Sequence, residues 1–187
     1  MTENIEESAA TPPNDLDAQY FELVGRVSSD WAGMEYLMNE AIWMVADVSP
    51  ILGASMTAQI VSATGRLAAL LALLKLRGAS SRLIRRINKF AEEIRSPTEK
   101  RNRIVHDAWG LDASGAAMQL RVTAAKTLVF GLTPVSLETL KADYRSVFAC
   151  VRRFAEIRNE IAAEQPSWPG IPWTEHRPTV QVHEPPI

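Results

Sequence analysis

The stretch YFELVGRVSSDWAGMEYLMNEAIWMV, residues 20–45, decides the fold class of this chain. Apolar or small residues recur in it at alternating steps of four and three: Tyr20, Val24, Val27, Trp31, Met34, Met38, Ala41 and Val45. Because this spacing places the side chains on one face of an α-helix, the stretch predicts a long amphipathic helix that starts near Leu16 and ends near Asp47. Further large apolar residues flank the stripe, so we expect this helix to pack against two neighbours.

Two more segments have the same helical periodicity. We expect a second helix over residues 54–77, followed by Gly78, a residue that can take the positive φ common just after a helix. A third helix, capped by Ser80 or Ser81, then reaches Ile94, because its apolar residues again recur at steps of four and three. The sequence therefore predicts at least three helices before residue 95.

The stretch SPTE, residues 96–99, leaves two alternatives open. Ser96 fits an N-cap, Pro97 the first helical position and Glu99 the third, which together form a capping box and predict a new helix. Alternatively, the third helix bends at the proline and continues through residue 109. Both alternatives place residues 101–109 on a helix.

The helical pattern stops after Gly110. Residues 118–122 alternate between apolar and polar, and residues 127–130 are rich in β-forming side chains, so we expect a small β-hairpin. Thr133 and Pro134 then fit the N-cap and first position of a last long helix. The prediction is an all-α fold, a four- to five-helix up-and-down bundle with a small β-hairpin before the last helix.

Composition bounds the organisation and the class of protein. The 187 residues are 47% hydrophobic and 22% charged, which is typical of a globular domain, and we assign that domain to residues 16–165. Residues 1–15 are acidic and aperiodic, so we expect a disordered arm. Residues 166–187 are rich in proline and contain two tryptophans, so we expect an extended tail that lies on the protein or on a partner.

Several classes of function are disfavoured by the residues present. The net charge of −2 excludes a general polyanion binder. Cys150 is the single cysteine and the chain has three histidines, so we expect neither a disulfide nor a metal site, and no cofactor. The N-terminus lacks the features of a secretory signal, and the longest apolar run, residues 67–74, is too short to span a bilayer. We therefore expect a cytoplasmic protein without a membrane partner.

The stretch RNRIVHDAW, residues 101–109, carries the candidate chemistry. If the third helix continues, Arg101 falls on its apolar stripe, where a guanidinium must meet an anion, a carboxylate or a water-filled cleft. Asn102 and His106 are four apart and share a helix face. Arg101 and His106 lie about 140° apart around the helix, and the length of arginine still lets both reach one phosphate.

A structural alternative stays open for this stretch. Arg101 or Arg103 would pair with Glu99, Asp107 or an acid on the first helix, and His106 would fill a polar gap. The two interpretations differ in where the histidine lies. A functional site needs His106 exposed to a cleft beside the arginine, whereas the structural alternative ties the residues into internal pairs.

The hexapeptide RNRIVH resembles the signature of the HEPN superfamily, whose members carry Arg-x4–6-His on a late helix of a small α-bundle, with a polar residue, often asparagine, after the arginine. The order of long helices over residues 16–165 is compatible with this resemblance. It implies a metal-independent endoribonuclease, active as a homodimer in which both arginine–histidine pairs meet in one cleft, with a role as a toxin or in stress and defence. The implied partners are RNA and a cognate antitoxin or other protein.

The resemblance also implies roles for individual residues. His106 would act as general acid or base in the attack of a ribose 2′-hydroxyl on the adjacent phosphate, which leaves 2′,3′-cyclic phosphate ends. Arg101 would stabilise the charge on the phosphorane, and Asn102 would orient the phosphate or the histidine. Two alternatives from other classes remain. One is a non-catalytic helical module that binds nucleotide, RNA or protein, and the other is a structural bundle whose tail docks on a larger assembly.

Further residues around the motif are candidates for supporting roles. Residues 75–103 contain ten Lys or Arg and three acids, so Arg95, Lys100 and Arg103 are predicted to bind substrate phosphates, unless the run is only a solvated helix face. Glu35 and Asn39 lie four apart on the first helix. They form either a second shell to the arginine of the motif or the solvent edge of the apolar stripe.

Overall fold

The computed structural model describes residues 15–123 and 128–169. Over these ranges the chain is mainly helical and carries one small antiparallel sheet, as expected for the fold class. The elements are α1 (Asp15–Ala46), α2 (Pro50–Thr57), α3 (Ala63–Leu76), α4 (Ser81–Glu93), α5 (Arg95–His106), β1 (Ala108–Leu111), β2 (Ala117–Thr123), β3 (Val129–Pro134) and α6 (Leu137–Glu164). The arm predicted for residues 1–15 lies outside the described residues except at its last position, and so does the tail from residue 170 onwards.

The first helix lies at the centre of the core and packs against α2, α3, α5 and α6. The predicted apolar stripe is confirmed, because every stripe residue from Val27 to Val45 is buried. The helix ends at Ala46, and Asp47 follows with φ of 56°. In the described ranges, none of the helices has both the length and the apolar character needed to cross a bilayer.

The single helix predicted over residues 54–77 is wrong, because α2 and α3 are separate. Ser62 caps α3 by accepting a hydrogen bond of 3.0 Å from the Gly65 N–H. A serine that bonds to its own backbone neighbours favours a helix start over a helix interior, which explains the break. Contact with α1 holds the shorter helix in place: a Cβ on Gly53 would lie 2.3 Å from the Trp43 ring.

The predicted end of the α3 helix is confirmed. Gly78 takes φ of 71°, and the next residue, Ala79, donates its N–H to the Leu74 carbonyl at 3.0 Å. This hydrogen bond satisfies a carbonyl that the helix end would otherwise leave free. Ser80 then caps α4, also as predicted, through a bond of 3.3 Å from the Leu83 N–H.

A carboxylate from the last helix joins the start of α4 to the beginning of the predicted tail. Glu164 accepts hydrogen bonds from the Ser80 N–H at 2.5 Å, from the Ser80 hydroxyl at 2.7 Å and from the Trp168 indole at 3.2 Å. Desolvation alone would raise the pKa of Glu164, but these hydrogen bonds outweigh it and the pKa is lowered. Trp168 is buried in the core, so this tryptophan of the predicted tail packs on the protein itself.

The region around Pro97 is closer to the second of the two alternatives, although the helix ends at His106 and does not reach residue 109. Only Ile94 separates α4 from α5, and it keeps helical dihedrals of φ −67° and ψ −18°. The N–H of Thr98 donates to the Ile94 carbonyl at 2.9 Å, so helical bonding resumes at once. The helix starts before Ser96, which therefore does not act as its N-cap. A proline near a helix start displaces no interior hydrogen bond, so the chain bends here without unwinding.

The predicted hairpin is part of a larger unit, a three-stranded antiparallel sheet of order β1-β2-β3. The helix predicted through residue 109 is wrong at its end, because residues 108 and 109 belong to β1, a strand of four residues that is too short to show alternation. The start predicted for the last helix at Thr133 and Pro134 is also wrong. Pro134 belongs to β3, where it pairs with Met118 of β2, and the N-cap of α6 is Ser136. An edge strand tolerates proline, because one of its sides needs no N–H donor.

Candidate functional site

Helix α5 brings the arginine and the histidine of the motif into direct contact. Nη1 of Arg101 lies 2.8 Å from Nε2 of His106 and donates to the Asn102 side-chain oxygen at 3.1 Å. Because a guanidinium carries only donors, this contact is a hydrogen bond in the imidazole tautomer that accepts at Nε2 and holds its proton on Nδ1. We call these three residues the Arg–Asn–His cluster. Asn102 and His106 are exposed to solvent, and Arg101 is half-buried.

The buried part of Arg101 lies over a tryptophan of the first helix. The guanidinium carbon is 5.9 Å from the ring centroid of Trp31, which is only 2% exposed. Such a cation–π contact explains how an arginine fits into an apolar stripe. Across the described residues, Arg101 forms no ion pair, and its Nε atom is buried without a hydrogen-bond partner. The carboxylate pairing of the structural alternative is therefore not observed for Arg101.

The cluster combines the groups that phosphate chemistry requires. The lone pair of His106 Nε2 can take a proton, and it points to the same guanidinium that can hold a phosphoryl oxygen. An incoming phosphate would replace the histidine as the acceptor for Nη1, which leaves the imidazole free to act on a neighbouring hydroxyl. In the described part of the chain, no group of three or more His, Cys, Asp or Glu side chains could hold a metal ion.

The three predicted substrate-binding residues lie in different surroundings. Arg103 is exposed one turn before His106 and forms no ion pair in the described ranges. Lys100 pairs with Asp143 of α6 at 2.9 Å, so its ammonium already has a counter-charge. Arg95 is exposed at the first position of α5, eleven residues before His106, which corresponds to roughly 16 Å along the helix. Of the three, only Arg103 is both close to the cluster and unpaired.

Most of the basic run on α4 is engaged in ion pairs. The pairs that involve this run are Arg82–Glu160, Arg86–Glu156, Arg86–Glu160 and Lys89–Glu93. Three of these pairs join α4 to α6 and the fourth lies within α4, and all are at least partly exposed, so each adds little stability by itself. The basic run on α4 is therefore a solvated, ion-paired helix face, which is the alternative to a surface that binds RNA phosphates.

The predicted second-shell residues contact a different arginine from the one expected. Nε of Arg66 donates to the Asn39 side chain at 2.9 Å, and Nη1 of Arg66 lies 3.4 Å from a Glu35 oxygen. These contacts join α1 to the first turn of α3. The residue that α1 supplies to Arg101 is Trp31, one helical turn before Glu35.

The polar side chains of the sheet face the helices, which the sequence pattern did not indicate. Gln119 is 3% exposed, and its amide donates to the Arg103 carbonyl at 2.8 Å, which ties β2 to the last turn of α5. The Trp109 indole donates to the Ile104 carbonyl at 2.9 Å and ties β1 to the same turn. Alternation in residues 118–122 predicted a strand, but it could not tell which face points inward. Here the polar residues face the helices.

The opposite face of the sheet is apolar and open to solvent. Cross-strand partners share a face, and the pairs Leu120–Leu132 and Val122–Phe130 lie on it. Phe130 is 72% exposed and Leu132 is 64% exposed. Contiguous apolar surface of this kind marks contact sites for proteins more often than catalytic sites.

Comparison of this chain with protein-family models, with curated proteins and with solved structures gives no match.

Proposed function

We propose that this protein is a HEPN-like, metal-independent endoribonuclease whose site is completed in a homodimer. The observation that supports the proposal is the 2.8 Å contact between Arg101 Nη1 and His106 Nε2, on an exposed histidine. The bundle of long helices with the motif on a late helix agrees with that assignment. The proposal includes a role as a toxin or in defence, with a cognate inhibitor that holds the activity in check.

In the proposed reaction, the ribose 2′-oxygen attacks the adjacent phosphorus and the 5′-oxygen of the next nucleotide leaves. His106 Nε2 takes the proton of the 2′-hydroxyl, and Arg101 binds the phosphoryl oxygens as their negative charge increases. Asn102 holds the guanidinium in place through its side-chain oxygen. The products are a 2′,3′-cyclic phosphate and a 5′-hydroxyl. DNA lacks the attacking hydroxyl, so RNA is the substrate.

The proposed homodimer accounts for the proton balance of this reaction. The 2′-hydroxyl loses a proton as it attacks, and the leaving 5′-oxygen gains one as it departs. One imidazole cannot perform both transfers at once, so a second acid is needed. A symmetric dimer supplies it, because His106 of the partner subunit can donate in its protonated form while the first histidine accepts in its neutral form.

A second candidate function is a non-catalytic module that binds a protein partner. The open apolar face of the sheet, with Phe130 and Leu132 exposed, favours this alternative. The apolar face itself fits both candidates, because an inhibitor of the proposed ribonuclease also needs a docking surface. They differ in whether the Arg–Asn–His cluster performs chemistry.

Co-expression of two differently tagged chains tests both the reaction and the dimer. One chain is wild type and the other carries His106→Ala, and tandem purification isolates the mixed species. We expect a complex of about twice the 20.7 kDa chain mass. Its rate on an RNA panel in a metal chelator should fall to less than about a tenth of the wild-type dimer rate, because the shared site has lost one imidazole.

The other outcomes contradict separate parts of the proposal. A mixed complex with half of the wild-type rate means that each chain is active alone. Failure to recover any species with both tags means that no dimer forms. An intact RNA panel after incubation with the wild-type protein contradicts the ribonuclease assignment itself.

A further inference from the structure

A polar groove lies beside the cluster, between α5, the sheet and α6. Its volume is about 240 Å³, and its lining includes Arg103, Gln119, Arg121 and Thr139. We call it the α5–sheet groove. Arg103 is three residues before His106, and side chains at that spacing are neighbours on a helix, with Cβ atoms about 5–6 Å apart. The groove therefore begins one helical turn from the imidazole.

Arg121 lines this groove, and no hydrogen-bond or ion-pair partner for it is found among the described residues. It follows Gln119 by two positions on β2, so both side chains are on the face that points to the helices. Its Nε atom is buried and has no hydrogen-bond partner in the structure. Its cross-strand neighbour is Gly131, where an added Cβ would meet nothing within 4 Å. The strand thus places a guanidinium nitrogen without a partner in the wall of the groove.

The charges around the groove favour an anion. Lys100 and Asp143 also line it, but they neutralise each other through their ion pair of 2.9 Å. Glu99 is the remaining acid, and it is exposed to water. Arg103 and Arg121 line the same groove, and neither forms an ion pair with an acid among the described residues. Two unpaired guanidinium groups in one groove repel each other unless an anion lies between them.

We propose that Arg103 and Arg121 form a second phosphate subsite, which holds the RNA phosphate next to the one at the Arg–Asn–His cluster. This inference rests on the proposed function for the identity of the ligand. A guanidinium binds phosphate oxygens through two parallel hydrogen bonds, and Arg121 already has one donor without a partner. The subsite fixes the position of the RNA along the protein, and the Arg–Asn–His cluster performs the cleavage. Arg121 is a binding residue that the sequence pattern did not indicate.

The test measures binding separately from cleavage. The probe is a fluorescent 2′-O-methyl RNA oligonucleotide, which has no attacking hydroxyl, and its dissociation constant is measured across a salt series. We expect Arg121→Gln and Arg103→Gln each to weaken binding by about 3- to 30-fold and to reduce the salt slope by about one. Arg152→Gln is the matched control, because Arg152 is exposed on α6 outside the groove. It should leave both quantities unchanged.

A lysine variant keeps the result interpretable if Arg121→Gln folds poorly. Arg121→Lys retains the charge and should keep the salt slope while it loses part of the affinity. The subsite is overturned if Arg121→Gln is folded and has the affinity and salt slope of the wild type. If Arg121→Gln binds like the wild type and the wild-type protein cleaves natural RNA, the subsite is wrong but the proposed function stands. Binding that depends on Arg121 in a protein without cleavage activity supports the subsite and contradicts the ribonuclease assignment.

Discussion

His106→Ala is expected to reduce the rate of RNA cleavage by about 10²- to 10⁴-fold, because it removes the group that accepts the proton of the 2′-hydroxyl. Arg101→Ala should cost about 10²- to 10³-fold, since it removes the donors that stabilise charge on the phosphorane. Both rates are measured on the same RNA in a metal chelator. His106 is exposed, so its replacement should leave the thermal unfolding temperature near that of the wild type.

Arg101→Lys is the matched control for charge. Lysine keeps the positive charge but cannot donate to the phosphate and to Asn102 in the planar geometry of a guanidinium. We expect a rate between those of the wild type and Arg101→Ala. A folded His106→Ala protein that cleaves at the wild-type rate would contradict the assignment of the site.

Trp31→Ala is expected to have the largest effect on stability, about 3–5 kcal/mol in the free energy of unfolding. Trp31 is 2% exposed in the core, so truncation leaves a cavity between α1 and its neighbours. It also removes the ring under the Arg101 guanidinium, which lies 5.9 Å from the ring centroid. Chemical denaturation measures the stability, and the cleavage rate is compared where both proteins are folded.

Two further variants separate the packing effect from the effect on Arg101. Trp31→Phe keeps an aromatic ring, so we expect it to recover part of the stability and of the cleavage rate. Phe90→Ala, in the contact between Phe90 of α4 and Phe154 of α6, should lower stability without changing the rate of the folded protein. Wild-type cleavage by folded Trp31→Ala would show that the ring does not position the arginine.

The parts of the fold that were predictable are those fixed by local sequence. The stripe along α1 and the helix stop at Gly78 depend on residues within a few turns of one another, and both are confirmed. The division between α2 and α3 is also local, since Ser62 caps α3, but the apolar periodicity of residues 54–77 runs across the break and hides it.

The same distinction applies to the candidate site. Arg101, Asn102 and His106 lie on one helix, so their proximity follows from helical geometry and was open to prediction. Trp31 and Arg121 reach the site from distant segments, and only the fold brings them there. Glu35 and Asn39, for which both a second-shell role and a place at the solvent edge were open, contact Arg66 of α3, a partner from another helix that the sequence pattern did not indicate.

The measurement that tests the central claim most directly is the chemistry of the ends that the wild-type protein leaves on RNA. A defined oligonucleotide is cleaved in a metal chelator, and mass spectrometry identifies both fragments. The proposed reaction, with His106 as base and Arg101 on the phosphate, predicts a 2′,3′-cyclic phosphate on one fragment and a 5′-hydroxyl on the other. Fragments with a 3′-hydroxyl and a 5′-phosphate, or an oligonucleotide left intact, would contradict it.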